Sequence, residues 1–328
     1  MAAGHFVLRN ALRQSSNFNY ITTGGRHLNF DLVAQLAISG LVIGSLYALL
    51  GVSFGLVYQT SKIFHLAGAI PFAAAGYAAV WAAKSLQLSI WLSIFIGLAA
   101  AVIIGVLILV LGYFPLIKKK ATLLSLFLIS LGLSVAFPNL LQIVFGVDNL
   151  PLEVYDAEGN PAVPFANPTY ASGFLTITKL NIVQVVSSWL LVIAVLYTIK
   201  KTALGRSITA LRTNPAMASA VGINNKVVYL VVFSVSSFLM GVAGILITLQ
   251  FVANPTMGLQ WTLIGFIAVF FGGITSLGGS ALGGLILGLL SSLSGIWLGS
   301  QYAPIVTFAI LFLTLLIRPQ GLFGKEAI

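Results

Sequence analysis

The chain has 328 residues, of which 59% are hydrophobic and only 7% are charged, and its formal net charge is +10. Because a soluble domain carries about 25% charged residues, this composition excludes a soluble globular protein. Apolar stretches of about 20 residues recur between residues 32 and 317, a pattern that indicates a polytopic helical membrane protein. Segments such as 90–111 are apolar on every face, which excludes a β-barrel because barrel strands alternate in polarity.

The ionisable residues exclude several classes of function. The chain has no cysteine, three histidines and six acidic residues, and no acid lies between Asp31 and Asp148 or between Glu158 and Glu326. The spans therefore lack the carboxylates of a proton relay and the nucleophile–base pair of an intramembrane hydrolase. Most basic residues lie in short loops beside apolar spans, where they set orientation rather than bind nucleic acid.

Residues 1–30 form a polar N-terminal extension that contains Arg9, Arg13 and Arg26 but no acid. An Arg-rich, acid-poor leader is typical of a transit peptide, whereas a secretory signal needs a longer apolar core. We favour the other interpretation, a loosely ordered tail or a surface helix.

Residues 31–320 form the predicted membrane domain, and residues 321–328 form a C-terminal tail. The predicted spans are 32–58, 66–83, 88–112, 122–146, 181–199, 227–250, 259–277, 280–299 and 303–317. Pro71, Pro138 and the glycines around Gly272 interrupt the hydrogen-bond ladder, so we expect any broken or re-entrant segment there. The predicted fold class is all-α, with about eight or nine membrane segments.

The distribution of Lys and Arg predicts the orientation. If residues 118–120 and 200–226 are cytoplasmic, counting spans also places the tail inside and the loop 147–180 outside. Eleven basic residues then lie inside, namely Lys62, Lys118, Lys119, Lys120, Lys200, Lys201, Arg206, Arg212, Lys226, Arg318 and Lys325. Outside, apart from the N-terminal extension, only Lys84 and Lys179 remain, as the positive-inside rule expects. Pro and Asn in the loop 147–180 indicate a short, ordered external cap.

A glycine pattern occurs twice in the chain. The same spacing relates Gly40, Gly44, Gly51 and Gly55 in the first span and Gly284, Gly288, Gly295 and Gly299 in a late one. Each set lies in a stripe about 60° wide, which predicts close helix packing. The two spans cross in opposite directions, as in an inverted internal repeat, although glycine-rich motifs also arise in unrelated bundles.

The cytoplasmic loop 200–226 is much longer than a tight turn. It predicts short helices over 207–212 and 215–221, with Asn214 as N-cap, Pro215 in the first turn and Gly222 as the stop. Small residues on the second helix suit docking into a groove of another protein. The alternative is a solvated connector whose arginines only follow the positive-inside rule.

Four motifs carry a resemblance to a known family. The first motif lies in the loop and consists of Gly205-Arg206, Arg212, Met217-Ala218-Ser219 and Gly222-Ile223-Asn224. The other three are GSLYALLGVSFGLVY at 44–58, FFGGITSLGGSALGGLILG at 270–288 and RPQGLFGK at 318–325. In this order they resemble the branched-chain amino acid ABC transporter permeases, the LivH/LivM-like family, and most closely its LivH-like subunit.

The sequence departs from that family in three places. The usual Asn-Phe-Ala-His-Gly after the first helix is replaced by the residues 63–68, IFHLAG. Thr275 and Gly278 stand where Gly and Pro are common, and the N-terminal extension is unusual. The first change lies in the region that the resemblance associates with the substrate route, so the resemblance implies the class of transporter but not the identity of its substrate.

The resemblance implies a permease subunit of an ATP-driven importer in the bacterial inner membrane, not an enzyme. It implies two cytoplasmic ATPase subunits, a second permease subunit, LivM-like or identical, and an external substrate-binding protein. No GxxxxGK[ST] loop occurs, so ATP must be bound by a partner and no cofactor is expected in this chain. The implied ATPase-coupling residues are Gly205, Arg206, Arg212, Pro215, Ala218, Ser219, Gly222, Ile223 and Asn224.

The candidate translocation route offers hydroxyls and amides but no charge. The candidates are Ser45, Tyr47, Asn139, Gln142 and Gln250, each of which is alternatively a helix–helix hydrogen-bonding residue. An uncharged route suits a neutral or zwitterionic solute, so a branched-chain or other neutral amino acid is expected. Urea or a short amide fits about as well, and an ATPase-independent channel or carrier is the other class left open.

Overall fold

A computed structural model describes residues 30–155, 161–162, 169–172 and 175–324. The predicted N-terminal extension and Lys325 lie outside the described residues, apart from residue 30. The helices are α1 (Phe30–Ser61), α2 (Ala69–Ser85), α3 (Ile90–Leu107), α4 (Phe114–Lys118), α5 (Leu123–Phe145), α6 (Lys179–Lys201), α7 (Ala203–Thr213), α8 (Pro215–Ala220), α9 (Asn225–Gln250), α10 (Met257–Gly272), α11 (Leu277–Leu298) and α12 (Ala303–Ile317). A π-helical turn, Ile108–Tyr113, joins α3 to α4.

The all-α prediction is confirmed, and each predicted span coincides with a helical segment. Within the described residues, seven helical segments are long and apolar enough to cross a membrane. The helices α10 and α12 are shorter, with 16 and 15 residues. The chain is therefore a multi-pass helical membrane protein.

The predicted interruption at Pro138 is wrong, because α5 continues through this residue. The side-chain amide of Asn139 donates to the carbonyl of Val135 at 2.8 Å, so the carbonyl three residues before the proline has a hydrogen-bond donor. A break occurs instead between α1 and α2, where Lys62 has a φ of 59°. A 3-10 turn, Leu66–Gly68, then leads into α2, and Pro71 lies in its first turn.

The external loop contains short antiparallel strands in its described parts. They are β1 (Val154–Tyr155), β2 (Pro161–Ala162), β3 (Thr169–Ser172) and β4 (Leu175–Thr178), which pair β1 with β2 and β3 with β4. The side chain of Gln35 donates to the carbonyl of Thr176 and accepts from its amide, at 3.1 and 2.9 Å. These two bonds fix the start of α1 to this loop.

The helices α1 and α11 pack against each other in antiparallel directions along their glycines. A Cβ atom placed on Gly40 would lie 2.9 Å from the Cα of Leu289, and one on Gly51 would lie 2.9 Å from the carbonyl oxygen of Ser280. Similar contacts involve Gly44, Gly55, Gly284 and Gly288. Glycine is required along this seam, because any side chain would meet the backbone or side chain of the other helix.

The last glycine of the second stripe, Gly299, differs from the others. Gly295 is half-buried in α11, and its carbonyl accepts from the amide of Gly299 at 3.2 Å. The prediction that Gly299 packs against a helix is wrong, because no described atom lies within 4 Å of a Cβ placed on it. Gly299 ends α11 with a φ of 85°, a conformation that favours glycine.

Candidate functional site

One end of the bundle gathers the loops that carry most of the basic residues. We call it the coupling end, formed by residues 59–62, 113–120, 200–226 and 272–276. A cluster of buried apolar residues from α7, α8, α9 and the π-helical turn forms its interior. Its members include Tyr113, Leu211, Ala218, Val228 and Phe233. The loop 200–226 is therefore packed onto the membrane helices rather than extended away from them.

The coupling segment, residues 202–224, is built from capped helices. The hydroxyl of Thr202 accepts from the amide of Gly205 at the start of α7. The predicted N-cap is confirmed, because the Asn214 side chain accepts from the amides of Ala216 and Met217 at 3.0 and 3.1 Å. Gly222, with a φ of 88°, ends this turn as the sequence predicts.

Several residues implied for ATPase coupling face the protein interior. Ala218 is only 2% exposed, and a Cβ placed on Gly205 would overlap the carbonyl of Ile199. The expectation that the small residues of α8 all approach a partner is therefore corrected for Ala218, which anchors the segment to the bundle. Met217 and Val221 are instead 68% and 76% exposed. Sequence reasoning missed this apolar pair, although its i, i+4 spacing in a polar loop was the available signal.

The remaining residues of the segment have structural contacts or open surface. The hydroxyl of Ser219 donates to the carbonyl of Pro215 at 3.0 Å and accepts from the side chain of Asn225 at 2.8 Å. Asn224 caps α9, and the amide of the half-buried Ile223 donates to the carbonyl of Ala218. Arg206 is exposed on α7.

Arg212 points toward the bundle. Its Nη1 donates to Oε1 of Gln59 at 2.8 Å, and its Nη2 donates to the carbonyl of Thr275 at 2.6 Å. Burial lowers the pKa of the guanidinium. The pKa of Lys62 is also lowered, first by burial and then by repulsion from Arg212. The guanidinium thus has two partners within the chain, which the sequence did not reveal.

The predicted route residues lie on three different helices, α1, α5 and α9. Ser45 and Tyr47 are buried in α1, where Ser45 donates to the carbonyl of Val42 and Tyr47 contacts Trp261 edge-on at 6.1 Å. Gln142 and Gln250 are half-buried near the ends of their helices. Asn139 is exposed on α5, where its side-chain amide donates to the carbonyl of Val135, and its place on a route stays a prediction.

Sequence reasoning missed a polar pair on α6 that is one helical turn apart. Gln184 and Ser188 are 1% and 0% exposed, and Nε2 of Gln184 donates to the carbonyl of Val42 at 2.9 Å. Neither Oε1 of Gln184 nor the hydroxyl of Ser188 has a hydrogen-bond partner among the described residues. Buried polar groups without partners are rare, so this pair is a stronger route candidate than Asn139.

The opposite end of the bundle has an open depression of about 320 Å³ where α9 meets α10. It is lined by Ile247, Phe251, Val252, Asn254, Thr256, Met257, Gln260 and Trp261. The Asn254 side chain donates to Oδ1 of Asn149 and accepts from the hydroxyl of Thr256, at 2.9 and 2.7 Å. The depression therefore combines amide, hydroxyl and apolar surface and contains no charged side chain among its lining residues.

A family model described as "Branched-chain amino acid transport system / permease component" matches residues 36–315. The chain belongs to this family. It is 28% identical over 304 residues to the high-affinity branched-chain amino acid transport system permease protein LivH of Escherichia coli (strain K12). The aligned residues cover 90% of this chain and 96% of that protein. The corresponding BraD protein of Pseudomonas aeruginosa is 27% identical, with the same coverage. A probable LivH of Methanocaldococcus jannaschii is 28% identical, over 90% of this chain and 94% of that protein. No solved structure matches the chain.

The C-terminal motif of this family member completes the coupling end. The amides of Leu322 and Phe323 donate to the carbonyls of Phe271 and Gly272, at 2.8 and 3.0 Å. These carbonyls end α10 and have no partner within their own helix. The motif therefore caps α10 and holds the turn between α10 and α11.

The departure from the family pattern after α1 lies in the interior. Nδ1 of His65 and the hydroxyl of Tyr113 form a hydrogen bond of 2.9 Å, and His65 is 1% exposed. The hydroxyl of Ser130 accepts from the amide of Ala67 at 2.8 Å, and Phe64 stacks on Phe270. These residues join the broken start of α2 to α5 and α10.

Two apolar cavities, both open at the protein surface, lie between α6 and α9. One of about 220 Å³ lies toward the coupling end and includes Leu56, Thr198 and Ile208 in its lining. The other, of about 590 Å³, lies between α3, α6 and α9. Leu191 lines both. The seam between α6 and α9 is thus loosely packed over much of its length.

Proposed function

We propose that this chain is a transmembrane permease subunit of an ATP-driven ABC importer that translocates a branched-chain or other neutral amino acid. The family and the named transport role of the LivH and BraD relatives support this proposal. We further propose that it works with two cytoplasmic ATPase subunits, a second permease subunit and an external binding protein. The complex would lie in the bacterial inner membrane.

The coupling segment carries this proposal. Ala218 and Leu211 anchor it to the bundle, while Met217 and Val221 expose an apolar pair on its outer surface. A short rigid helix with exposed apolar anchors is the surface that a partner groove recognises. ATP hydrolysis in a partner would then drive movement of the bundle by contact through this segment, and this chain itself would not be catalytic.

The substrate class rests on the absence of charge along the candidate route. No acidic residue occurs between Asp31 and Asp148 or between Glu158 and Glu326, and the external depression is lined by neutral side chains. A net charge would be costly to desolvate there, whereas a zwitterion has no net charge. Urea or a short amide remains the second candidate within the same family, and an ATPase-independent channel or carrier remains the second mechanism.

The test is reconstitution of the chain with its companion subunits in proteoliposomes. Met217→Asp and Val221→Asp should abolish co-purification of the ATPase subunits and substrate-stimulated ATP hydrolysis, because each places a charge in an apolar contact. Tyr170→Asp is the matched control, since Tyr170 is 56% exposed at the opposite end. If the complex takes up labelled leucine and excess urea does not reduce this uptake, the result favours an amino acid over urea as the substrate. Uptake by the chain alone, without ATP, would contradict the proposal.

A further inference from the structure

Arg212 connects three elements at the coupling end. It lies in the last turn of α7 and donates to Gln59, in the last turns of α1, and to the carbonyl of Thr275, between α10 and α11. Gln59 is 2% exposed. One side chain thus ties the coupling segment to the end of α1 and to the turn that leads into α11.

The geometry of this contact requires arginine. A guanidinium presents several donors in a fixed plane, so Nη1 and Nη2 can bond to two acceptors on different helices. The Lys ammonium is a compact charge on a flexible stem and does not reproduce this fixed fork. Nε2 of Gln59 has no partner among the described residues, so this amide is used through its oxygen alone.

We propose that Arg212 is a positioning residue that transmits movement of the coupling segment to the inner ends of α1 and α11. This inference rests on the proposed function, because it assumes that a partner moves the segment. Its alternative is a direct contact between Arg212 and the partner. That alternative is disfavoured, since both terminal nitrogens are bonded to this chain, while Arg206 on the same helix is exposed.

Transmission and docking predict different results for Arg212→Ala. Transmission predicts that the ATPase subunits still co-purify, while substrate transported per ATP hydrolysed falls by about tenfold or more, the effect of losing a charged hydrogen bond. Arg212→Lys keeps the positive charge, but we expect nearly the same loss of substrate transported per ATP hydrolysed as in Arg212→Ala. Lys201→Ala, which removes an exposed basic residue at the same end, is the control and should leave this ratio unchanged.

Variants of Gln59 supply a test from the other side of the contact. Gln59→Glu keeps the acceptor oxygen and should retain coupling, whereas Gln59→Leu removes one of the two Arg212 bonds and should reproduce part of the Arg212→Ala defect. The double variant Arg212→Ala/Gln59→Leu should lose no more than Arg212→Ala alone, because Arg212→Ala already removes the bond to Gln59. Additive losses, or normal coupling in Gln59→Leu, would overturn the inference.

Amide hydrogen exchange on the isolated chain separates this inference from the proposed function. Exchange in the turn 273–276 should rise in Arg212→Ala, which removes the bond to the Thr275 carbonyl, but not in Lys201→Ala or Gln59→Glu. Unchanged exchange in Arg212→Ala, or loss of the ATPase subunits from that variant, would refute transmission by Arg212. If the wild-type chain binds no ATPase subunit, the proposed function fails, while a raised exchange still supports the contact.

Discussion

Two helix–helix seams in the same bundle differ in packing density, since one is tight and the other is loose. Along α1 and α11, six glycines bring the two helices into direct contact. Between α6 and α9, branched residues such as Val186 and Leu246 leave cavities of about 220 and 590 Å³. Helices in lipid gain little from burying apolar side chains against each other, so the closeness of a seam depends on the size of its residues.

This difference separates a fixed part of the molecule from a part suited to movement. The helix α6 is held to α1 by the bond between Gln184 and the carbonyl of Val42, and it leads through Thr202 into the coupling segment. We therefore expect α6 and the segment to move together with α1 and α11, against α9. Each prediction below tests the tight seam, the loose seam, or the point where they meet.

The largest effect is expected from filling the tight seam. A Cβ placed on Gly284 would lie 2.5 Å from the backbone nitrogen of Ala48, so Gly284→Leu forces the helices apart. We expect a loss of about 3 kcal/mol or more in the free energy of unfolding, measured in detergent. Gly132→Ala is the control, because no described atom lies within 4 Å of its added Cβ. Normal stability of Gly284→Leu would show that the seam is not a close contact.

A large-to-small substitution should distinguish the buried core around α1 from the loose seam between α6 and α9. Leu49 on α1 is fully buried, so Leu49→Ala should lower the free energy of unfolding by about 2 kcal/mol or more. Leu191 already faces both cavities, so Leu191→Ala removes fewer contacts and should cost about half as much or less. Equal losses would indicate that the α6–α9 cavities are closed in solution.

A substitution that fills the loose seam should raise the free energy of unfolding, by less than the preceding substitutions lower it. Ser187 lines the larger cavity, and Ser187→Leu adds apolar contacts without displacing backbone. We expect the free energy of unfolding to rise by about 0.5–1 kcal/mol. Uptake by the reconstituted complex should fall if α6 must move against α9. Stabilisation with unchanged uptake would mean that the loose seam has no part in transport.

The smallest effect concerns Lys62, where the two parts meet. The pKa of Lys62 is lowered, so the folded chain disfavours the ammonium. At neutral pH the ammonium therefore lowers the free energy of unfolding. This cost is relieved as the pH rises through the lowered pKa toward the ordinary value, so stability relative to Lys62→Gln should rise over that alkaline range. Solvent screening keeps the change small, because Lys62 is exposed. In Arg212→Ala the amine should react with an acylating reagent only at higher pH than in the wild type.

Local chemistry at single residues determined much of what the sequence predicted. The membrane helices follow from stretches long enough to span a bilayer, because backbone groups in lipid must bond within their own helix. Asn214 and Gly222 mark the ends of α8 because capping depends on neighbouring residues along the chain. The glycine spacing likewise identified most of the residues that form the tight seam before any partner helix was known.

Only the tertiary structure decided which side of each short element faces the bundle. It buried Ala218, exposed Met217 and Val221, and directed Arg212 toward Gln59 and Thr275. These contacts join residues more than 60 positions apart, and a short helix with small residues on several faces carries no periodic signal of which face is buried. The sequence therefore determines the helices and their caps, whereas the packing of distant helices determines which residues remain free to meet a partner or a substrate.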